Sequence, residues 1–138
     1  MCTLRFGGAD LDVDGLLQAC PLPIAAVHRK GSSPVPQRAN ASRAVRAVIS
    51  VGVSNAEFSD LPAQIGDALS VAQQHAAYLP RLRSFPGVER VVFDFAVEDR
   101  PGFSQSDIFP AELLLLLGQF GIDLEVTRYA SGAATSDQ

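Results

Sequence analysis

Positive charge is scarce in this chain. Eleven Lys and Arg stand against 15 Asp and Glu, giving a formal net charge of −4 and a pI near 5.0. That balance argues against nucleic acid as the main ligand, because phosphate binding needs clustered positive charge. Long apolar runs are missing too, so no stretch offers the roughly 18 apolar residues of a membrane span. The start, Met-Cys-Thr-Leu-Arg-Phe, lacks the apolar segment of a signal peptide, and a cytoplasmic protein is expected. Cysteine and histidine number two each. Cys2, Cys20, His28 and His75 include no pair at the close spacing of zinc ligands, so inert reduced thiols are expected, with no metal and no cofactor.

What the chain does have is core material. At 138 residues with 47% hydrophobic and 19% charged side chains, it is long enough for one domain to bury a core without a metal or disulfide staple. The domain is expected over residues 1–129. The small polar tail at 130–138 is expected to be disordered.

Alternation and helical spacing divide the chain. Cys2, Leu4 and Phe6 alternate with Thr3 and Arg5, which predicts a strand ended by a turn at Gly7-Gly8. Asp12 is placed to cap a short helix over 13–20, and Pro21 and Pro23 stop it. Residues 24–28 suit a short strand, and the Gly-, Pro- and Ser-rich stretch 29–42 a long loop. Residues 44–54 alternate again, with Arg46, Ser50 and Ser54 on the polar face. A helix follows from about Ser59 or Asp60, with apolar residues at helical spacing as far as Leu79. Pro80 ends or kinks it. Residues 88–97 form a strand, 98–107 a polar loop. The C-terminal unit is a Leu-rich helix with Pro110 in its first turn, Gly121 placed to end it left-handed, and a strand from Ile122 to Tyr129.

The order is strand-helix-strand, strand-helix-strand, helix-strand. It predicts an α+β fold with a ferredoxin-like split βαβ arrangement and an added C-terminal helix-strand. In several strands the second face is polar. A sheet with helices on both sides would instead need unbroken apolar strands. The helices are therefore expected on one face of a mostly antiparallel sheet.

Motifs of chemistry are thin. Asp10, Asp12, Asp14 and Gly15 begin like a calcium loop, but Pro21 stands where the bidentate Glu belongs, so helix capping is the better reading. Gly52-Val53-Ser54 closes a strand and is no nucleophile elbow. No glycine-rich loop opens a helix after a strand in the phosphate-binding manner. No catalytic residue is expected, and the protein reads as a non-enzyme. Two surfaces remain. Between Gly15 and Ala56 there is no acid, yet Arg29, Lys30, Arg38, Arg43 and Arg46 are present, a candidate anion- or partner-binding patch. The open sheet face should carry Arg5, Asp94, Asp123, Glu125 and Tyr129. One aromatic there is too few for an RNA-binding sheet.

Three short motifs carry a resemblance. They are Leu4-Arg5-Phe6-Gly7 with Asp10-Leu11-Asp12, then His28-Arg29-Lys30-Gly31, then the run from Pro110 through Gly121-Ile122-Asp123-Leu124 to Tyr129. With these the chain resembles a family of small bacterial proteins classed only as a domain of unknown function. The resemblance implies an α+β fold and no known activity. By analogy with immunity proteins that neutralise toxins, it allows an immunity-like role. The functional expectation is an interaction module for a protein partner; a small-molecule, anion-binding or regulatory domain is the alternative.

The Leu-rich helix adds one expectation. Leu113 to Leu117 circle the whole helix. If Leu113, Leu116, Leu117 and Phe120 face the sheet, Leu114 and Leu115 face away, and a homodimer through them is expected.

Overall fold

A computed structural model of the chain describes residues 1–32 and 44–130. Arg38, Arg43 and the tail at 131–138 lie outside the described residues, as does most of the predicted loop at 29–42. The elements run β1 (Cys2–Gly8), α1 (Val13–Ala19), β2 (Ile24–His28), β3 (Ala47–Ser54), α2 (Leu61–Gln74), α3 (Leu79–Ser84), β4 (Arg90–Glu98), α4 (Ala111–Phe120) and β5 (Asp123–Tyr129). No helix among the described residues is long and apolar enough to cross a membrane.

The five strands form one sheet in the order β2-β3-β1-β4-β5. β1 pairs antiparallel with both β3 and β4, and β2 pairs antiparallel with β3. β5 alone is parallel to its neighbour, β4. It must be so: α4 carries the chain back along the sheet before β5 begins, and such crossovers deliver parallel strands. The α+β class and the mostly antiparallel sheet agree with the sequence.

The alternation resolves into two faces. Cys2, Leu4 and Phe6 of β1, Ile49 and Val51 of β3, and Val91, Phe93 and Phe95 of β4 are buried. They share one cluster with Val13 and Leu16 of α1, Leu61, Ile65, Ala68 and Ala72 of α2, Leu79 and Leu82 of α3, and Leu113, Leu117 and Phe120 of α4. All four helices therefore cover the same side of the sheet. Each large side chain fully buried there contributes roughly 1.5–3 kcal/mol of transfer free energy.

Local signals set the helix ends. Asp12 accepts from the Gly15 amide at 3.2 Å and Asp60 from the Ala63 amide at 3.1 Å, so each caps a helix. Gly121 has φ 72°, a left-handed conformation. The Ile122 amide reaches the Leu117 carbonyl at 2.9 Å and the Gly121 amide the Gly118 carbonyl at 3.2 Å. These two bonds make a complete Schellman ending at the left-handed stop expected from the sequence.

Four expectations are corrected. Gly7 and Gly8 do not turn the chain; they continue β1 and are buried. A Cβ at Gly7 would lie 1.9 Å from the Ala47 carbonyl oxygen, and one at Gly8 1.9 Å from that of Gly87. Only glycine lets the neighbouring backbones approach so closely. The long helix is two helices: α2 ends at Gln74, and Pro80 lies in the first turn of α3, where a missing N–H costs nothing. β3 begins at Ala47, not at residue 44. Ser54, finally, leaves the polar face. A register shift between Cys2 and Thr3 turns Ser54 inward at 5% exposure. Its hydroxyl donates to Asp67 of α2 at 2.6 Å and accepts from the Ala56 amide at 3.2 Å.

Candidate functional site

The opposite side of the sheet carries no helix among the described residues. Its rows follow from the pairing. Arg5 stands between Ser50 and Val92, Thr3 between Gly52 and Asp94, and Gly7 between Val48 and Arg90. On the outer strand, Glu125 pairs with Asp94 and Thr127 with Ala96.

Charge is tied together across these rows. The Arg5 guanidinium donates to Glu125 at 2.6 Å and lies 3.3 Å from Asp94. The Thr127 hydroxyl donates to the other Asp94 oxygen at 2.7 Å. Arg5 starts on β1 and Glu125 sits on β5, so the arginine side chain has to cross β4. On β4 its paired residue is Val92, which is 5% exposed although it lies outside the helix-covered cluster. The aliphatic stem of an arginine can bury apolar surface while its head keeps a charged partner. Arg5 Nε is buried without an acceptor among the described residues, so one guanidinium donor is unspent.

Beside this network lies a groove of about 550 Å³, within the usual range for ligand sites. Its lining includes Gly7, Val48 and Val92 together with Arg5, Arg46, Arg90, Glu89 and Glu125. Arg46 donates to Glu89 at 2.9 Å, with side chains 62% and 49% exposed. Arg90 lies 3.7 Å from Asp123, both largely exposed. Exposed pairs of this kind are worth about 0–1 kcal/mol, so both guanidiniums exchange partners cheaply.

Arg5, Asp94 and Glu125 thus form one ion-pair system on the helix-free face, while Asp123 pairs separately with Arg90. Tyr129 does not join it: it ends β5 and stacks on Phe58, ring centroids 5.2 Å apart. The basic set is divided. Arg29 follows β2 and donates to Asp14 on α1 at 2.8 Å, and Lys30 is exposed beside it. Neither lines the groove, whereas Arg46 does. The described arginines of that set each hold a carboxylate, so the unpaired basic patch expected from the acid-free run is not what they form. Asp14 is correspondingly held below the usual carboxylate range by its hydrogen bond from Arg29 and by the guanidinium charge.

Gly7, Val48, Glu89, Arg90 and Val92 were not singled out by the sequence. Parity was the available signal: Gly7 shares it with Thr3 and Arg5, and Arg90 and Val92 share it with Asp94. Away from the groove, Cys2 is buried opposite Ser54 and Phe95. Burial pushes its thiol up to about 12, which leaves it protonated and a poor nucleophile. Leu114 and Leu115 on α4 are 47% and 61% exposed. No three His, Cys, Asp or Glu side chains among the described residues come together as a metal site. Comparison with protein-family models, with curated proteins and with solved structures finds no match for this chain.

Proposed function

We propose that this chain is a non-catalytic interaction module that holds a protein partner against the helix-free face of its sheet. The observation that carries this reading is the Arg5–Asp94–Glu125–Thr127 network, which fixes charged groups across three strands on a face that no described helix covers. Pre-ordered side chains lose less entropy when a partner arrives. The groove next to the network is lined by arginine, glutamate and valine, a mixture suited to recognition. The sheet order β2-β3-β1-β4, with β1 antiparallel to both neighbours, supports a ferredoxin-like split βαβ core to which α4 and β5 are appended. The resemblance to the small bacterial family, and with it an immunity-like role, belongs to the same proposal.

Two glycines make a matched test. A Cβ at Gly52, on the helix-free face, or at Gly66, on α2, meets nothing within 4 Å, so arginine fits at either. A protein captured from the source cells by wild type and Gly66→Arg, but not by Gly52→Arg, is the expected result, with the captured protein rebinding when purified. Equal capture by the two variants would refute the reading.

A second reading concerns α4. Leu114 and Leu115 face away from Leu113, Leu117 and Phe120, which are buried. We propose that a second copy of the chain covers them, since one patch meeting itself closes a two-fold dimer. Light scattering should find a dimer that Leu115→Glu converts to monomer with unchanged circular dichroism. A wild type that is monomeric at high concentration would dismiss this interface.

A further inference from the structure

The sheet has two edges, and they are built differently. The outer backbone of an edge strand invites another strand, and short length, irregular register and proline discourage it. β2 is only five residues long, has a register shift between Ile24 and Ala26, and follows Pro21 and Pro23 closely. β5 has none of these devices. It runs seven residues in unbroken register with β4 and contains no Pro, Gly or Lys. Its acids turn back over the sheet, Glu125 to Arg5 and Asp123 toward Arg90.

One bond sets which way the β5 backbone faces. The Asp99 amide donates to the Tyr129 carbonyl at 3.0 Å, so Tyr129 turns its backbone groups to the β4 side. Successive residues of a strand turn theirs to opposite sides. Glu125 and Thr127 therefore face β4 as well, while Leu124, Val126 and Arg128 point their N–H and C=O groups out of the sheet. These three are symmetric about Val126. A second β5 running antiparallel, with Val126 opposite Val126, sets each Leu124 against an Arg128, and every such pair exchanges two hydrogen bonds. Glu125 then stands opposite Thr127, so no like charges meet. Either neighbouring register overruns the strand, and one of them sets Glu125 against itself.

The helix layer continues the same edge. Leu124 packs against the core, so Val126 shares the helix-covered face, where it is 36% exposed. α4 packs on both β5 and α2, and its Glu112 accepts from Gln73 of α2 at 3.0 Å. α2 lies further in along the sheet, where Asp67 holds Ser54 of β3. Leu114 is about 200° round the helix from Glu112, so it faces away from α2, toward the β5 edge, and is half-exposed. We infer that a second copy of this chain adds its β5 antiparallel to this one. The two sheets become continuous across a two-fold axis, and Leu114 and Val126 of both copies pack together over the junction. This inference rests on the dimer reading of α4 and names the strand pairing and register beneath it.

The test uses the full chain, labelled with nitrogen-15, with light scattering to set the species. At a concentration where the dimer dominates, the Leu124, Val126 and Arg128 amides should exchange with solvent as slowly as those of Glu125 and Thr127. On dilution to monomer they should exchange faster. In a dimer mixed from carbon-13-labelled and unlabelled chains, the Glu125 and Thr127 α-protons should show an intermolecular contact, because such non-hydrogen-bonded pairs hold their α-carbons about 4.5 Å apart. Val126→Pro removes only an outward N–H, which an edge strand tolerates, and should give a monomer with unchanged circular dichroism. The exchange measurement needs no variant, so it decides even if the proline variant does not fold. A dimer whose three outward amides exchange freely overturns the inference and leaves the α4 contact standing. Slow exchange that persists in the monomer also overturns it, because a segment of the same chain would then hold the edge. A wild type that is monomeric at high concentration removes both.

Discussion

The two faces of this sheet are cut from the same strands and held by different physics. On the covered face, Leu4, Phe6, Ile49, Phe93 and Phe95 are at 0–2% exposure, and four helices supply the other half of the contact. On the free face order comes from charge: Arg5 spans β4 to reach Glu125, and Thr127 holds Asp94. Apolar side chains exist there as well. Val92 and Ala96 are nearly inaccessible at 5% and 8%. A sheet face can thus be dry at its floor and polar at its surface. The first face needs shape complementarity and is costly to alter. The second keeps its charged groups near water, and single changes there cost less.

The largest expected effect tests the covered face. Phe93→Ala removes a ring with 0% exposure from the centre of the cluster. It should cost about 3–5 kcal/mol, the usual range for an aromatic truncated in a core. Urea unfolding measures it. A loss near the half-kilocalorie typical of surface positions would erase the distinction between the faces.

Arg5 sharpens the comparison from the other side. Arg5→Ala removes both the ion pairs and the aliphatic stem, whereas Arg5→Met keeps most of the stem. Partly exposed ion pairs contribute about 0.2–1 kcal/mol each, and Arg5 has two. Arg5→Ala should therefore cost about 1–2 kcal/mol, and Arg5→Met should recover part of that. Equal losses in the two variants would mean that charge alone orders this face and that the stem adds nothing.

The sequence made the covered face legible and the free face only half so. Alternation assigned Cys2, Leu4 and Phe6 to the dry side because burial by a helix requires apolar residues at every second position. The cap at Asp12 and the stop at Gly121 were legible because they depend on side chains and φ values within a few residues; the start of α2 was narrowed to Ser59 or Asp60, and Asp60 proves to be its cap. Gly7-Gly8 misled. A glycine pair reads as a turn when the neighbouring strand is unseen, and what demands glycine here is the backbone of residues 47 and 87. Ser54 misled for a related reason, since the register shift that turns it inward belongs to the pairing of β1 with β3 and leaves no local trace. The groove was hidden for the same cause. Arg5, Arg46 and Arg90 are far apart in the chain and meet only through strand order.

The smallest expected effect concerns a pair that belongs to neither face. Asp14 on α1 and Arg29 after β2 meet at 2.8 Å, with side chains 73% and 55% exposed. The hydrogen bond from Arg29, and then its charge, hold the Asp14 carboxyl below its ordinary value of 3.8. The direction fixes the pH dependence. The folded state binds this proton less readily than the unfolded chain does, so the stabilisation is complete above the unfolded pKa, close to 3.8. It disappears as the pH falls below that value and through the folded one. Water and salt screen a pair so exposed, which places it last among these effects. Titrating the Asp14 carboxyl carbon by NMR should give a midpoint below 3.8 in the wild type. In Arg29→Gln the midpoint should return toward that value, and added salt should narrow the difference between the two proteins. An unchanged midpoint in Arg29→Gln would show that α1 and the end of β2 are not joined in solution. The contribution of charge to order would then be confined to the free face of the sheet, where Arg5 has two carboxylates and a strand to lie across.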